Sequence, residues 1–271
     1  MTARTEFYSP RPLTEDELRL RCPSIFANTA HPSRSNKFAP IATIEAVRAL
    51  RQEGFEPFAA KQSLVRTDGT RDARSPWAKH LMRFRHSGAH MVRVGDSVLE
   101  IVLTNANNGQ SGYHIDAGVF KLACLNGLVV KSKDWGGISI RHTGDPRMMV
   151  VEGTYQVIAN AKKAMDAPAK WSKMLLSDAR RLLFAQEAHK LRFGDDHRIT
   201  PEQLLIHRRP ADEGRDLWSI FNVVQENCVT GGLVGVREPG KRRRGTTRPL
   251  GAIDTNMRLN KALWELAEEF A

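Results

Sequence analysis

The segment LEIVLTNANNGQSGYHIDAGVFKLACLNGLVV, residues 99–130, carries the clearest strand pattern in the chain. Two runs rich in β-branched and aromatic residues flank a connection dense in Asn, Gly and Ser. A third apolar run reaches the turn-forming pair Asn126-Gly127. Such runs, bounded by turn formers, are typical of strands joined as hairpins. The segment therefore predicts strand, loop and strand, followed by one more strand.

The strand pattern continues on both sides of this segment. Four more short strands are predicted, over residues 81–84, 91–94, 97–104 and 139–141. The pair Gly95-Asp96 marks a tight turn between two of them. Together these patterns predict a mostly antiparallel sheet built from hairpins.

Apolar residues recur at helical spacing elsewhere, and they dominate after Pro146. The predicted helices cover residues 15–21, 41–53, 151–165, 171–192, a short helix begun by Thr200-Pro201, residues 216–229, and a final helix ending at Phe270. Pro168 is expected to separate the two longest. Strands followed by a run of helices indicate an α+β fold, a central sheet on which the helical C-terminal half packs. We expect an N-terminal arm over residues 1–38, a sheet region over 39–150 and a helical region over 151–271 that is continuous with the sheet.

The composition favours a cytoplasmic protein with a polyanionic partner. The 271 residues include 41 Lys and Arg against 30 Asp and Glu, so the net charge is +11. Nucleic acid is the commonest polyanion of that compartment. Three widely spaced cysteines, Cys22, Cys124 and Cys228, suit a reducing environment. No apolar run approaches the roughly 20 residues of a membrane helix, so no membrane association is expected.

The positive charge is concentrated in two segments, residues 66–93 and 237–248. Arginine and lysine side chains there are expected to contact DNA phosphates, and aromatic neighbours to stack on bases. The predicted phosphate contacts are Arg83, Arg85, Lys241, Arg242, Arg243 and Arg244. Trp77 and Phe84 are the predicted stacking residues. The alternatives are a solvated basic loop and aromatic anchors in the core.

Two other motifs resemble sites of chemistry. The stretch Gly235 to Lys241 matches the start of a phosphate-binding loop, but Arg242 replaces the required Ser or Thr and Pro239 lacks an amide donor. His86 and His90 lack the intervening Glu of a metalloprotease helix. We therefore predict neither a metal site nor a cofactor.

A polar stretch between two of the predicted strands is a further candidate. Its polar members are Asn105, Asn107, Asn108, Tyr113, His114 and Asp116. A loop held by strands could bind a ligand, and His114 with Asp116 could act as an acid/base pair. The alternative is plain turn chemistry, because Asn and Gly form turns.

Several segments together resemble the phage/plasmid-like protein family known as domain-of-unknown-function group 932. The matching pieces are residues 38–40, 54–57 with Gln62 and Arg66, 84–86, 100–108, 118–127, 217–227 and 259–264. The resemblance covers most of the chain. It departs at Lys121, where the family often has Arg, and at Asn107, where it often has His or Ser. It implies work on the DNA of a mobile element: replication, recombination, defence or counter-defence.

The combined prediction is a sequence-tolerant nucleic-acid-binding protein of a phage or plasmid. Single-stranded DNA is the expected partner, strand annealing or recombination the expected role, and a homo-oligomer the expected state. Two alternatives remain open. One is a metal-dependent enzyme acting on nucleic acid, centred on residues 105–116. The other is a protein that binds and regulates a host defence or replication factor.

Overall fold

The structure is a computed structural model of the chain. It describes residues 6–29, 31–34, 42–63, 65–67, 70–72, 75–87, 93–94, 97–108, 111–121, 137–140, 146–161, 166–194, 198–236 and 244–271. The α+β prediction is confirmed: an antiparallel sheet occupies the N-terminal half and helices follow it.

Within the described ranges, the main sheet has seven strands. Six follow one another in the order β1-β2-β5-β7-β8-β9, and the short β6 pairs with β7. The strands are β1 (Glu6–Tyr8), β2 (Phe55–Gln62), β5 (His80–His86), β6 (Arg93–Val94), β7 (Ser97–Ala106), β8 (Ser111–Lys121) and β9 (Ile138–Ile140). Strands β3 (Val65–Thr67) and β4 (Thr70–Asp72) form a separate antiparallel pair. Sheet neighbours follow chain order, as expected for a sheet of hairpins.

The described residues contain eight α-helices, α1 (Glu15–Arg21), α2 (Thr43–Gln52), α3 (Pro146–Ala161), α4 (Asp166–Trp171), α5 (Asp178–Phe193), α6 (Pro201–Leu204), α7 (Leu217–Thr230) and α8 (Ile253–Phe270). The chain divides into two compact units: the sheet with α1 to α3, and α4 to α8. None of the described helices has the length and apolar character to cross a bilayer.

Local sequence explains where several helices begin. Thr14 caps α1 by accepting a hydrogen bond from the Glu17 amide, and the Glu17 carboxylate accepts one from the Thr14 amide in return. Asp216 caps α7 by accepting from the Ser219 amide at 2.9 Å. These caps satisfy amide groups that a helix leaves unpaired at its start.

Each unit has its own apolar core. In the sheet unit, Val102 and Leu103 of β7 are fully buried, as is Val47 of α2. In the helical unit, four aromatic side chains from α4, α7 and α8 pack together: Trp171, Trp218, Phe221 and Trp264. The Trp171 and Trp264 rings are closest, with centroids 4.5 Å apart. Large rings bury the most apolar area per residue, so this cluster is the main hydrophobic contribution to the unit.

Two expectations about element boundaries were wrong. Pro168 does lie between α3 and α5, but in the first turn of a further short helix, α4, where a helix needs no amide donor from it, and the next long helix begins at Asp178 and not at residue 171. The polar stretch 105–116 is not one loop. Asn105 belongs to β7, while Tyr113, His114 and Asp116 belong to β8, so only residues 107–110 connect the strands.

Candidate nucleic-acid interface

The sheet unit places Arg83 and Arg85 around a buried carboxylate. The strand register pairs Phe84 with Ile101, which brings the neighbouring Glu100 beside both arginines. Glu100 is fully buried; one of its oxygens accepts from Arg83 Nε and the other from Arg85 Nε, each at 2.5 Å. Arg85 also donates to the Tyr8 hydroxyl at 2.6 Å. These two arginines of β5 therefore bond β5 to β7 and, through Tyr8, to β1.

Two of the residues that were predicted to contact DNA are buried. The Arg83 side chain is 2% exposed, and the Phe84 side chain is 0% exposed in the apolar core. Neither can reach a phosphate or a base in this fold, because both side chains are buried. They were predicted as DNA contacts because they lie in the basic segment 66–93. Trp77 is half-buried, and its ring meets the edge of the His31 ring with centroids 5.0 Å apart.

The polar residues of β7 and β8 belong to an internal hydrogen-bond network. His80 is buried between two hydroxyl groups, with Nδ1 3.0 Å from Ser24 Oγ and Nε2 2.9 Å from Thr43 Oγ1. Asn105 donates to the same Thr43 hydroxyl at 3.0 Å. Burial raises the pKa of the Tyr113 hydroxyl to about 12. A fully buried network of this kind specifies the packing of a core.

In the helical unit, two extended stretches of chain lie on either side of residues 237–243, the part of the second basic segment that lies outside the described residues. We call residues 231–236 and 244–250 the basic ladder. Its two sides run antiparallel through the pair Val234 and Thr246. Gly235 donates to the Gly245 carbonyl and Gly232 to the Thr247 carbonyl, both at 2.8 Å. Lys241, Arg242 and Arg243, in the connection between the two sides, lie outside the described residues.

Gly231, where α7 ends and the ladder begins, lies in close contact with the other side of the ladder. Gly231 ends α7 with φ of 70°, a left-handed conformation that other residues adopt at a cost. A Cβ atom there would lie 2.6 Å from the Arg248 carbonyl carbon and 2.7 Å from Pro249 N. The Gly231 carbonyl also accepts from Arg208 at 2.6 Å. The ladder is therefore fixed to the end of α7 by a contact that only glycine fits without strain.

Four exposed arginines belong to the ladder or lie on segments bonded to it. Arg244 and Arg248 belong to it, and Arg198 and Arg208 lie on adjoining segments. Arg208 is held in place because its Nε donates to Asn227 Oδ1 at 2.9 Å while another nitrogen bonds the Gly231 carbonyl. The Val236 amide donates to the Arg198 carbonyl at 2.8 Å, which joins the Arg198 segment to the ladder. Guanidinium groups on a surface are suited to bind phosphate, and of these four the Arg208 group is held in place by the protein.

Two positions of the phosphate-binding-loop match, Gly235 and Val236, are among the described residues, and the rest of the match, 237–241, lies outside them. In such a loop, free backbone amides point at the phosphates. Here the amides of Gly235 and Val236, the first two positions of the sequence match, already donate to protein carbonyls. The described part of the chain also contains no group of three His, Cys, Asp or Glu side chains that could hold a metal ion.

The sequence predictions missed both the buried carboxylate and part of the basic surface. Glu100 had a signal: it is the single charge inside the apolar run from Val98 to Leu103, and such a charge requires a buried partner. Arg198 and Arg208 had no signal, because they are distant in sequence from Arg244 and only the folded chain brings them to the ladder.

The comparisons with known proteins agree on the family of this chain. The model of the family described as "Domain of unknown function (DUF932)" matches residues 30–264. Two relatives from Escherichia coli (strain K12) align over 259 residues, which is 95% of this chain and 91% of each relative. They are UPF0380 protein YafZ, 38% identical, and UPF0380 protein YfjQ, 37% identical. No solved structure matches the chain. The resemblance seen in the sequence is thereby confirmed, and the chain belongs to the DUF932 family.

Proposed function

We propose that this chain is a sequence-tolerant nucleic-acid-binding protein of a phage or plasmid, acting on single-stranded DNA in the cytoplasm. Its role in this proposal is strand annealing during recombination, carried out as a homo-oligomer. The observation that carries the proposal is the basic ladder with its exposed arginines, which continues in sequence into Lys241, Arg242 and Arg243.

The chemistry of the ladder suits phosphate rather than base sequence. Arginine and lysine contacts to phosphates release condensed counterions, and this gives affinity that does not depend on sequence and falls with salt. The ladder displays guanidinium groups on extended backbone, with Gly245 and Thr246 beside Arg244. The net charge of +11 supports the same partner, because it attracts a polyanion from a distance.

The test replaces Lys241, Arg242, Arg243 and Arg244 with alanine. Each lost phosphate contact lowers the slope of log K against log salt by about 0.7 for a single strand, so four contacts lower it by about 2.8. Near 0.1 M salt this corresponds to a loss of affinity on the order of a hundredfold or more. Fluorescence anisotropy with a labelled oligo-dT strand across a salt series measures both quantities.

A matched variant separates the ladder from overall charge. Replacing Lys170, Lys173, Lys190 and Arg258 with alanine removes the same four positive charges from exposed positions elsewhere in the helical unit. This control is expected to keep most of the affinity and nearly all of the salt slope. Equal losses in both variants, or no loss in the ladder variant, would overturn the assignment to the ladder.

A further inference from the structure

We infer that three exposed apolar side chains beside the ladder contact the bases of the bound strand, and that they give the site its preference for single strands. These side chains, Ile206, Val234 and Val236, are called the apolar strip. The inference rests on the proposed function and deepens it, because phosphate contacts alone do not distinguish single strands from duplex.

Direct hydrogen bonds join the segments that carry the strip. Val234 and Val236 are two residues apart on extended chain, so their side chains share a face. The Gln203 side chain donates to the Val234 carbonyl at 2.8 Å. Three residues further along, the Ile206 carbonyl accepts from Asn227 at 2.9 Å. Asn227 in turn accepts from Arg208, which reaches the Gly231 carbonyl at the start of the ladder.

The strip is exposed to a degree that indicates a binding surface. Ile206 is 62% exposed, Val236 58% and Val234 47%. Single exposed apolar residues are ordinary, whereas exposed apolar residues on segments joined by hydrogen bonds offer a partner several apolar contacts at one place. Contact with an apolar partner would remove this surface from water, at about 25 cal/mol per Å².

The charge around the strip selects the occupant. Among the described residues on the segments that carry or adjoin the strip, Arg198, Arg208, Arg244 and Arg248 are exposed, as is the carboxylate-bearing Glu202. A partner must therefore present negative charge and apolar faces together. A single DNA strand does so, because its bases are free to leave the stack, whereas a duplex hides its base faces. A second copy of this chain would instead bring two positively charged surfaces together.

The test replaces Val234 and Val236 with serine, a change at exposed positions. Binding to oligo-dT and to the oligo-dT·oligo-dA duplex is measured by anisotropy across a salt series. Affinity for the single strand is expected to fall by about tenfold, from the lost apolar contact. Affinity for duplex and both salt slopes are expected to stay unchanged. Equal loss for both nucleic acids, or no loss for either, would overturn the inference.

Two further variants serve as a control and as a second test of the strip. Leu183→Ser with Leu191→Ser removes two apolar side chains of similar exposure, 48% and 47%, from α5, and it is expected to leave the strand preference intact. Ile206→Ser repeats the test at a position outside the ladder. Sedimentation velocity is run on every variant. A strip variant that changes the oligomeric state while keeping the strand preference would show that a second copy occupies the strip and would overturn the inference.

The two proposals fail in different ways. If the Lys241 to Arg244 variant loses binding while the strip variant keeps its strand preference, the inference fails and the proposed function stands. If the unmodified chain does not bind DNA, the proposed function fails and the inference falls with it. If it binds and neither variant changes the binding, the function stands, and the assignment to the ladder and to the strip fails.

Discussion

Replacing Glu100 with glutamine is expected to destabilise the sheet unit strongly. The Glu100 carboxylate is 0% exposed and accepts a hydrogen bond from Arg83 on one oxygen and from Arg85 on the other. Glutamine has nearly the same shape, but it carries no charge and turns one acceptor into a donor. The Arg83 guanidinium, with a side chain 2% exposed, then remains buried without its counter-charge.

The expected loss follows from the burial of both partners. Removing one member of a buried ion pair costs about 3–5 kcal/mol, because the remaining charge is neither hydrated nor neutralised. Here the Arg85 side chain is 13% exposed and also donates to Tyr8, so it retains a partner and some water. The Arg83 side chain is only 2% exposed, so we expect a loss within this range, about 4 kcal/mol in the free energy of unfolding.

Urea denaturation followed by far-UV circular dichroism measures this loss. Glu15→Gln is the matched control, because the Glu15 carboxylate pairs with Arg48 on the surface, at side-chain exposures of 33% and 48%. It is expected to change stability only slightly, since exposed ion pairs contribute little. Adding Arg83→Met to Glu100→Gln removes the uncompensated cation, so the double variant should regain stability. Equal effects of Glu100→Gln and Glu15→Gln would refute the reasoning.

Two other predictions concern the helical unit and the thiols. Gly231→Ala should cost about 1–3 kcal/mol of unfolding free energy, because it adds a steric clash to a left-handed backbone. Gly232→Ala is the control and should cost less, because Gly232 has φ of 83° but open space around a Cβ atom. Equal losses in the two variants would contradict the clash. Burial raises the pKa of Cys22 and of Cys228 to about 12, so in a Cys124→Ser background alkylation near pH 8 should be slow until denaturant is added. Rapid alkylation of the native protein would contradict the burial of both thiols. The raised pKa values also mean that the folded state keeps these two protons to higher pH than the unfolded state, so the free energy of unfolding should fall between about pH 9 and pH 12.

Local patterns were sufficient to predict most elements of the fold. The capping residue Thr14 and the acidic residues after it predicted α1 at its observed bounds. The alternation of apolar residues predicted β5 and β7, and the run of helices after Pro146 gave the fold class. These features depend on spacing along the chain, which a sequence shows directly.

Long-range contacts account for the predictions that failed. Asn105 was predicted in a loop because asparagine favours turns, but a hydrogen bond to Thr43, 62 residues away, makes its burial in a strand favourable. Arg83 and Phe84 were predicted to contact DNA because they lie in the first basic segment, and an anchor role in the core was left open for Phe84. The register with β7 instead provides Glu100 as a buried partner, and sequence spacing carries no information about register between distant strands.

The most direct test of the central claim is anisotropy of a labelled oligo-dT strand with the unmodified chain, across a salt series and without metal. The account predicts tight binding at low salt that weakens steeply as salt rises, because counterion release drives it. Absence of binding at low salt would contradict the account and would mean that the +11 charge and the basic ladder serve a different partner.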